Sequence, residues 1–140
     1  MFHKNYEQRL NSWSSLRQKL EVAADPFQEV IDFYKQAPYV SVHTDPWSQD
    51  MWPDPWELVY ENQYDEFCTV LGMCYSLQLT DRFKGSEFEI HICTLESLSY
   101  VYLLFVDDYV LGYDNNKVVL KKELPMDLQS QTVYAMPKLN

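Results

Sequence analysis

Basic residues are missing from the middle of this chain. Between Lys35 and Arg82 there is no lysine or arginine, while Asp45, Asp50, Asp54, Glu57, Glu61, Asp65, Glu66 and Asp81 all fall there. The formal charge of the whole chain is −10. That balance excludes binding of nucleic acid through its phosphates, which needs Lys and Arg to displace counterions. Glycine is scarce, at three residues, so disorder by low complexity is not indicated. Cys68, Cys74 and Cys93 are odd in number and contain no CxxC pair. They fit a reducing compartment and neither a disulfide framework nor a zinc site. No apolar run approaches the ~18 residues of a membrane span, and MFHKNYEQRL holds no apolar signal core. No phosphate-binding glycine loop, GxSxG or HExxH occurs. Hence no cofactor, no metal, no membrane and a cytosolic setting are expected.

What is present is a sizeable core. Hydrophobic residues make up 46% of the 140 and aromatic residues 16%, which suits one domain over 1–140. Tyr6, Leu10, Trp13, Leu16 and Leu20 recur at helical spacing. Asp25-Pro26 starts a second helix, Asp as cap and Pro at the first position, with Phe27, Val30, Ile31 and Tyr34 as its stripe. This pair occupies 1–36. From 37 to 53 the chain combines Pro38, Pro46 and Pro53 with Tyr39, Trp47 and Trp52, and reads as an ordered loop pinned by its aromatic side chains. Asp54-Pro55-Trp56-Glu57 is a capping box. It opens a helix over 54–72 whose stripe runs through Trp56, Val59, Tyr60, Tyr64, Phe67 and Leu71 toward Gly72, a natural stop.

Periodicity then changes to two. Met73, Tyr75, Leu77 and Leu79 alternate with more polar residues, as do Phe88, Ile90 and Ile92. SYVYLLFV is the most apolar run and the expected central strand. Short turns at Asp107-Asp108 and Asn115-Asn116 lead into YVLGY and VVL. The expectation is α+β: three N-terminal helices, then a four- or five-stranded antiparallel meander over 73–123. Residues 124–140 read as a C-terminal arm, in which TVYAM forms a short strand or packs on a partner.

Cys68, His91 and an acid at Asp107, Asp108 or Asp114 follow the helix, strand, strand order of a transglutaminase-like cysteine hydrolase core, to which FCTVLGMCYSLQL through FVDDYVLGYD is weakly similar. That family keeps its cysteine at a helix N-terminus, where the dipole lowers the thiol pKa. In a helix over 54–72, Cys68 lies about fourteen residues from the start. His91 shares a strand face with Glu87 and Glu89, and alternating strand residues lie about 7 Å apart, so the three do not converge on one ion. No catalytic residue is assigned, and the chain is read as a non-enzyme.

WPDPWELVYENQYDEF, LQLTDRF and FVDDYVLGY together resemble small proteins of contractile-tailed phages of cyanobacteria. The resemblance implies an origin, made in the host cytoplasm and then assembled into the virion, and carries over no functional residue. The expected function is a protein–protein interaction module, a minor part of a virion neck, tail or baseplate. The alternatives are an acidic effector that binds a host protein, as a DNA mimic, and the cysteine hydrolase. Candidate contact residues are Trp47, Trp52, Trp56, Glu57, Glu61, Asp65, Tyr134 and Met136. The acidic stretch also reads as a solvated surface, and the tryptophans as a plug that closes the core.

Overall fold

The computed structural model describes residues 2–41, 43–95 and 99–139. Among these, four α-helices precede a five-stranded antiparallel sheet, an α+β architecture. The helices are α1 (Tyr6–Val22), α2 (Pro26–Tyr34), α3 (Pro55–Glu61) and α4 (Glu66–Gln78). The strands are β1 (Phe88–Leu95), β2 (Ser99–Val106), β3 (Tyr109–Leu111), β4 (Val119–Leu120) and β5 (Leu128–Ala135).

The first two helices begin at side-chain caps. Asn5 accepts the Gln8 amide at 2.9 Å and Asp25 accepts the Gln28 amide at 3.1 Å. Each satisfies an N–H that a first helical turn leaves without an internal partner. Trp13, Leu16 and Leu20 of α1 turn inward, as their spacing requires.

The single helix expected over 54–72 is two helices. Its capping box forms: Asp54 accepts the Glu57 amide at 2.8 Å and Glu57 accepts the Asp54 amide at 3.1 Å. The helix then ends at Asn62, whose backbone is left-handed (φ 53°, ψ 39°). Asn enters that region at little cost, and here its Nδ2 also donates to the Phe2 carbonyl at 2.8 Å. Asp65 restarts the helix by accepting the Cys68 amide at 2.7 Å.

The strand expected from Met73 is instead the second half of α4. Phe67, Cys68 and every residue from Val70 to Leu77 are buried. A helix enclosed on all sides shows no 3.6-residue stripe, so its odd–even alternation carried no strand information. Gly72 does not stop this helix. A Cβ there would lie 2.6 Å from Cε1 of Tyr34, so glycine permits α2 to press against α4. One turn on, Ser76 Oγ donates to the Gly72 carbonyl at 2.8 Å and accepts the Trp13 indole N–H at 2.9 Å, and the Tyr34 hydroxyl is 3.0 Å away. One buried serine thereby joins α1, α2 and α4.

The sheet begins at Phe88 and runs in the order β4-β3-β2-β1-β5, with β2 central. β1 to β4 form the meander, and β5 returns to the free side of β1. The segment expected as a C-terminal arm is therefore largely sheet. Phe88, Ile90, Leu104, Val106 and Leu111 face the helices in the main core. Cys93, Leu103, Phe105, Val110 and Val119 form a second cluster on the other face, with Leu124 and Leu128 packed against it.

Candidate functional site

The proline-rich loop over 37–53 is fixed from below by Asp65. Its Oδ2 accepts the amides of His43 and Thr44, each at 2.9 Å, while Oδ1 caps α4. Burial by itself would raise the pKa of this carboxyl. The amides of Thr44, Cys68 and His43 outweigh it and hold the group below its ordinary 3.8. Asp65 was expected on the acidic exterior, and in the structure it is an internal fastener. Upstream, Tyr39 and Tyr64 form a parallel bridge: Val40 N–H donates to Tyr64 O and Tyr64 N–H to Pro38 O, both at 3.3 Å.

Asp45 organises the tip. Its carboxylate accepts the Trp47 amide at 2.9 Å and the Ser48 hydroxyl at 3.0 Å, and its carbonyl accepts the Trp52 indole N–H at 3.2 Å. A 3₁₀ turn over Gln49–Met51 follows. Trp52 is clamped between Phe67 and Tyr134, with ring centroids 4.8 Å away on each side. Trp52 and Tyr134, both half-buried, thus pack against each other, and Met136 packs partly buried against the main core.

The remaining aromatics point outward. Trp47 is 45% exposed and meets Tyr100 of β2 edge-on at 5.4 Å, and Trp56 is 49% exposed and meets Trp13 edge-on at 6.1 Å. Met51 and Tyr60 are exposed still further, at 73% and 67%. Beside them lies a cleft of about 620 Å³ lined by Asp45, Asp50, Glu57, Glu61, His43 and Trp52 among others, with no lysine or arginine in its walls. Glu57 and Asp45 are occupied by the cap and the turn. Asp50 and Glu61 accept no hydrogen bond among the described residues, although His43 Nε2 stands 3.9 Å from Glu61. A second cleft of about 490 Å³ opens beyond Trp47, with Tyr39, Tyr100, Tyr102 and Tyr113 in its walls.

Cys68 and His91 are not brought together. The break at Asn62 does place Cys68 in the first turn of α4, close to a helix start, which the longer expected helix had ruled out. Burial nonetheless pushes its thiol up to about 12, reinforced by Asp65 and Glu61, although Thr44 Oγ1 at 3.2 Å offsets part of it. His91 lies across the sheet, stacked on Phe105 with centroids 3.8 Å apart. Asp107, in the β2–β3 turn, accepts the backbone amide of Glu87 just before β1, and Asp114 accepts that of Asn116 in its own turn.

His91 was expected on a solvated face and is buried there. Its Nδ1 is 2.8 Å from Ser130 Oγ and its Nε2 is 3.0 Å from Glu89 Oε1. A carboxylate can only accept, so Nε2–H donates to Glu89, while Nδ1 and the Ser130 hydroxyl share a hydrogen bond. Both ring nitrogens are thus occupied, and the cluster clasps β5 to β1. Ser130 carried no signal in the sequence, because its segment showed no clear alternation. Among the described residues no three His, Cys, Asp or Glu stand close enough to hold a metal ion. No helix among them is long and apolar enough to cross a membrane.

No protein-family model matches the chain, and no curated protein matches it.

Proposed function

We propose that this chain is a non-enzymatic protein–protein interaction module whose docking face is the acidic, aromatic surface formed by the 43–57 loop and α3. One observation carries the reading: among the described residues the carboxylates of Asp50 and Glu61 accept no hydrogen bond, in a cleft without lysine or arginine, with exposed Met51 in its wall and exposed Trp47, Trp56 and Tyr60 on the same loop and helix. Tryptophan and tyrosine supply large contact area at low entropic cost and dominate binding hot spots. Uncompensated carboxylates select and steer a basic partner. The partner is thus a protein surface rich in Lys or Arg with apolar positions for the tryptophans.

The resemblance to proteins of contractile-tailed cyanobacterial phages supports a setting in the virion, as a minor component of neck, tail or baseplate. Mass spectrometry of gradient-purified particles tests it. A copy number in simple ratio to the tail or capsid proteins is expected, and absence from intact particles removes the virion setting. A second reading keeps the same face and places the protein in the host cytoplasm, bound over the DNA-binding surface of a host protein. The unbroken acidic run between Lys35 and Arg82 favours it. Competition between this chain and DNA for the host protein distinguishes the two.

The face itself is tested by Asp50→Lys with Glu61→Lys, which leaves the helix cap and the loop fastener intact. Binding to the partner should weaken about tenfold or more and lose its salt dependence. Unchanged affinity would overturn the assignment of this face.

A further inference from the structure

The two edges of the sheet are built differently. β4 has two residues and runs directly into Lys121 and Lys122. Shortness and lysine are both devices that stop a sheet edge from pairing with another chain. At the opposite edge, β5 has eight residues, LQSQTVYA, without one charged side chain, and is paired on one side only. Gln129, Ser130, Gln131, Val133 and Ala135 are all exposed. An open strand edge of this length is a template for strand addition.

We propose that β5 pairs antiparallel with β5 of a second copy of this chain about a twofold axis, joining the two sheets into one. Three features select a second copy as the occupant. The first is charge. Two chains of −10 each repel one another over most of their surface, so they can meet only along a neutral strip, and β5 is such a strip. The second is what flanks the strip. Asp127 precedes β5 and Lys138 follows it, and neither has an ion-pair partner among the described residues. Antiparallel pairing sets the start of one strand beside the end of the other, so the acid of each copy approaches the base of its mate. The contact is self-complementary, as a twofold interface must be.

The third is register. Opposite residues of paired strands must share a face of the sheet, and a slip by one residue inverts every side chain. An unbroken strand of eight residues laid end to end against itself would set unlike faces opposite. β5 is not unbroken. Ile92 lies opposite Thr132 but Cys93 lies opposite Ser130, so Gln131 is an extra residue in a β-bulge. The bulge exchanges the faces midway. Tyr134 stacks on Trp52 on the helical side, whereas Leu128, also even-numbered, packs on the second cluster across the sheet. Full overlap then sets Leu128 opposite Ala135 of the second copy and Ser130 opposite Val133, each pair on one face. Bulges elsewhere discourage edge pairing. This one makes all eight residues compatible with self-pairing. The inference does not depend on the reading of the acidic cleft.

Sedimentation and light scattering over a concentration series test it. The expected particle has twice the 16.7 kDa of one chain, dissociating on dilution. Val133→Lys places a charge in the middle of the open edge and should weaken the dimer about tenfold or more, while circular dichroism and Tm of the monomer stay unchanged. Asp127→Lys should weaken it as well, and adding Lys138→Asp to that variant should restore it. That exchange is specific to the antiparallel arrangement and leaves the strand itself untouched. A chain that remains monomeric at its highest soluble concentration overturns the proposal. So does a dimer indifferent to Val133→Lys, or one that the charge exchange fails to restore.

Discussion

Asp65 accepts the amide of Thr44 at 2.9 Å with one carboxylate oxygen and the amide of Cys68 at 2.7 Å with the other. A single buried side chain therefore fixes the start of α4 and the loop that carries Asp45, Trp47 and Asp50. The candidate docking face is only as rigid as this fastener.

Asp65→Ala removes an N-cap, worth about 1 kcal/mol, and strips a charged acceptor from two loop amides, each worth about 1.5 kcal/mol or more. An overall loss of about 3–5 kcal/mol is expected, measured by urea unfolding at pH 7. The pH dependence has a defined sign. The folded pKa lies below the ordinary 3.8, so the contribution is fully present above that value. It is lost as the pH falls below about 4, through the folded value. Asp65→Asn should flatten the stability profile in that window.

Ser76 and Gly72 form a second test, remote from the surface. Ser76→Ala leaves the Trp13 indole N–H and the Tyr34 hydroxyl without their shared partner, at about 1–3 kcal/mol for each buried group. Gly72→Ala drives a methyl group into the Tyr34 ring and should cost about 1–3 kcal/mol by overpacking. Thermal unfolding of both variants checks these values.

The four tryptophans should divide by role. Trp13→Ala empties a fully buried site and should cost about 3–5 kcal/mol, and Trp52→Ala should loosen both the loop and β5. Trp47→Ala and Trp56→Ala should change stability by about 1 kcal/mol or less yet weaken partner binding. Unfolding curves beside binding isotherms separate the two classes.

Thiol chemistry probes the hydrolase alternative. Burial pushes the Cys68 thiol up to about 12, so very little of it is thiolate at pH 8. Burial raises Cys74 still further and Cys93 also. Native protein should resist iodoacetamide at pH 8 and take up three equivalents once unfolded in urea. Rapid labelling of native Cys68 would reopen the case for catalysis.

Local chemistry was legible wherever it left a periodic or capping signature. The stripe of α1, the Asp25-Pro26 start, the capping box at Asp54 and the apolar strand β2 are all present where the residues place them. Two errors have separate causes. α4 is buried all round, so its stripe was absent and its chance alternation imitated a strand. The break before it rests on Asn62 and Asp65, an αL cap followed by an N-cap, and the continuing aromatic stripe across them hid it. The acidic and aromatic composition of the candidate face was visible too. Which residues remain available was not, because the sequence cannot show that Asp65 turns inward or that Trp52 and Tyr134 satisfy each other.

The central claim is that the carboxylates around the 43–57 loop contact a basic partner. Zero-length carbodiimide coupling, which joins carboxylates to amines in direct contact, tests this when applied to the cells in which the protein is made. Asp50 and Glu61 are predicted to cross-link to lysines of one partner protein, with the yield abolished by Asp50→Asn with Glu61→Asn. Cross-links that leave these two positions untouched and survive that double substitution would contradict the account.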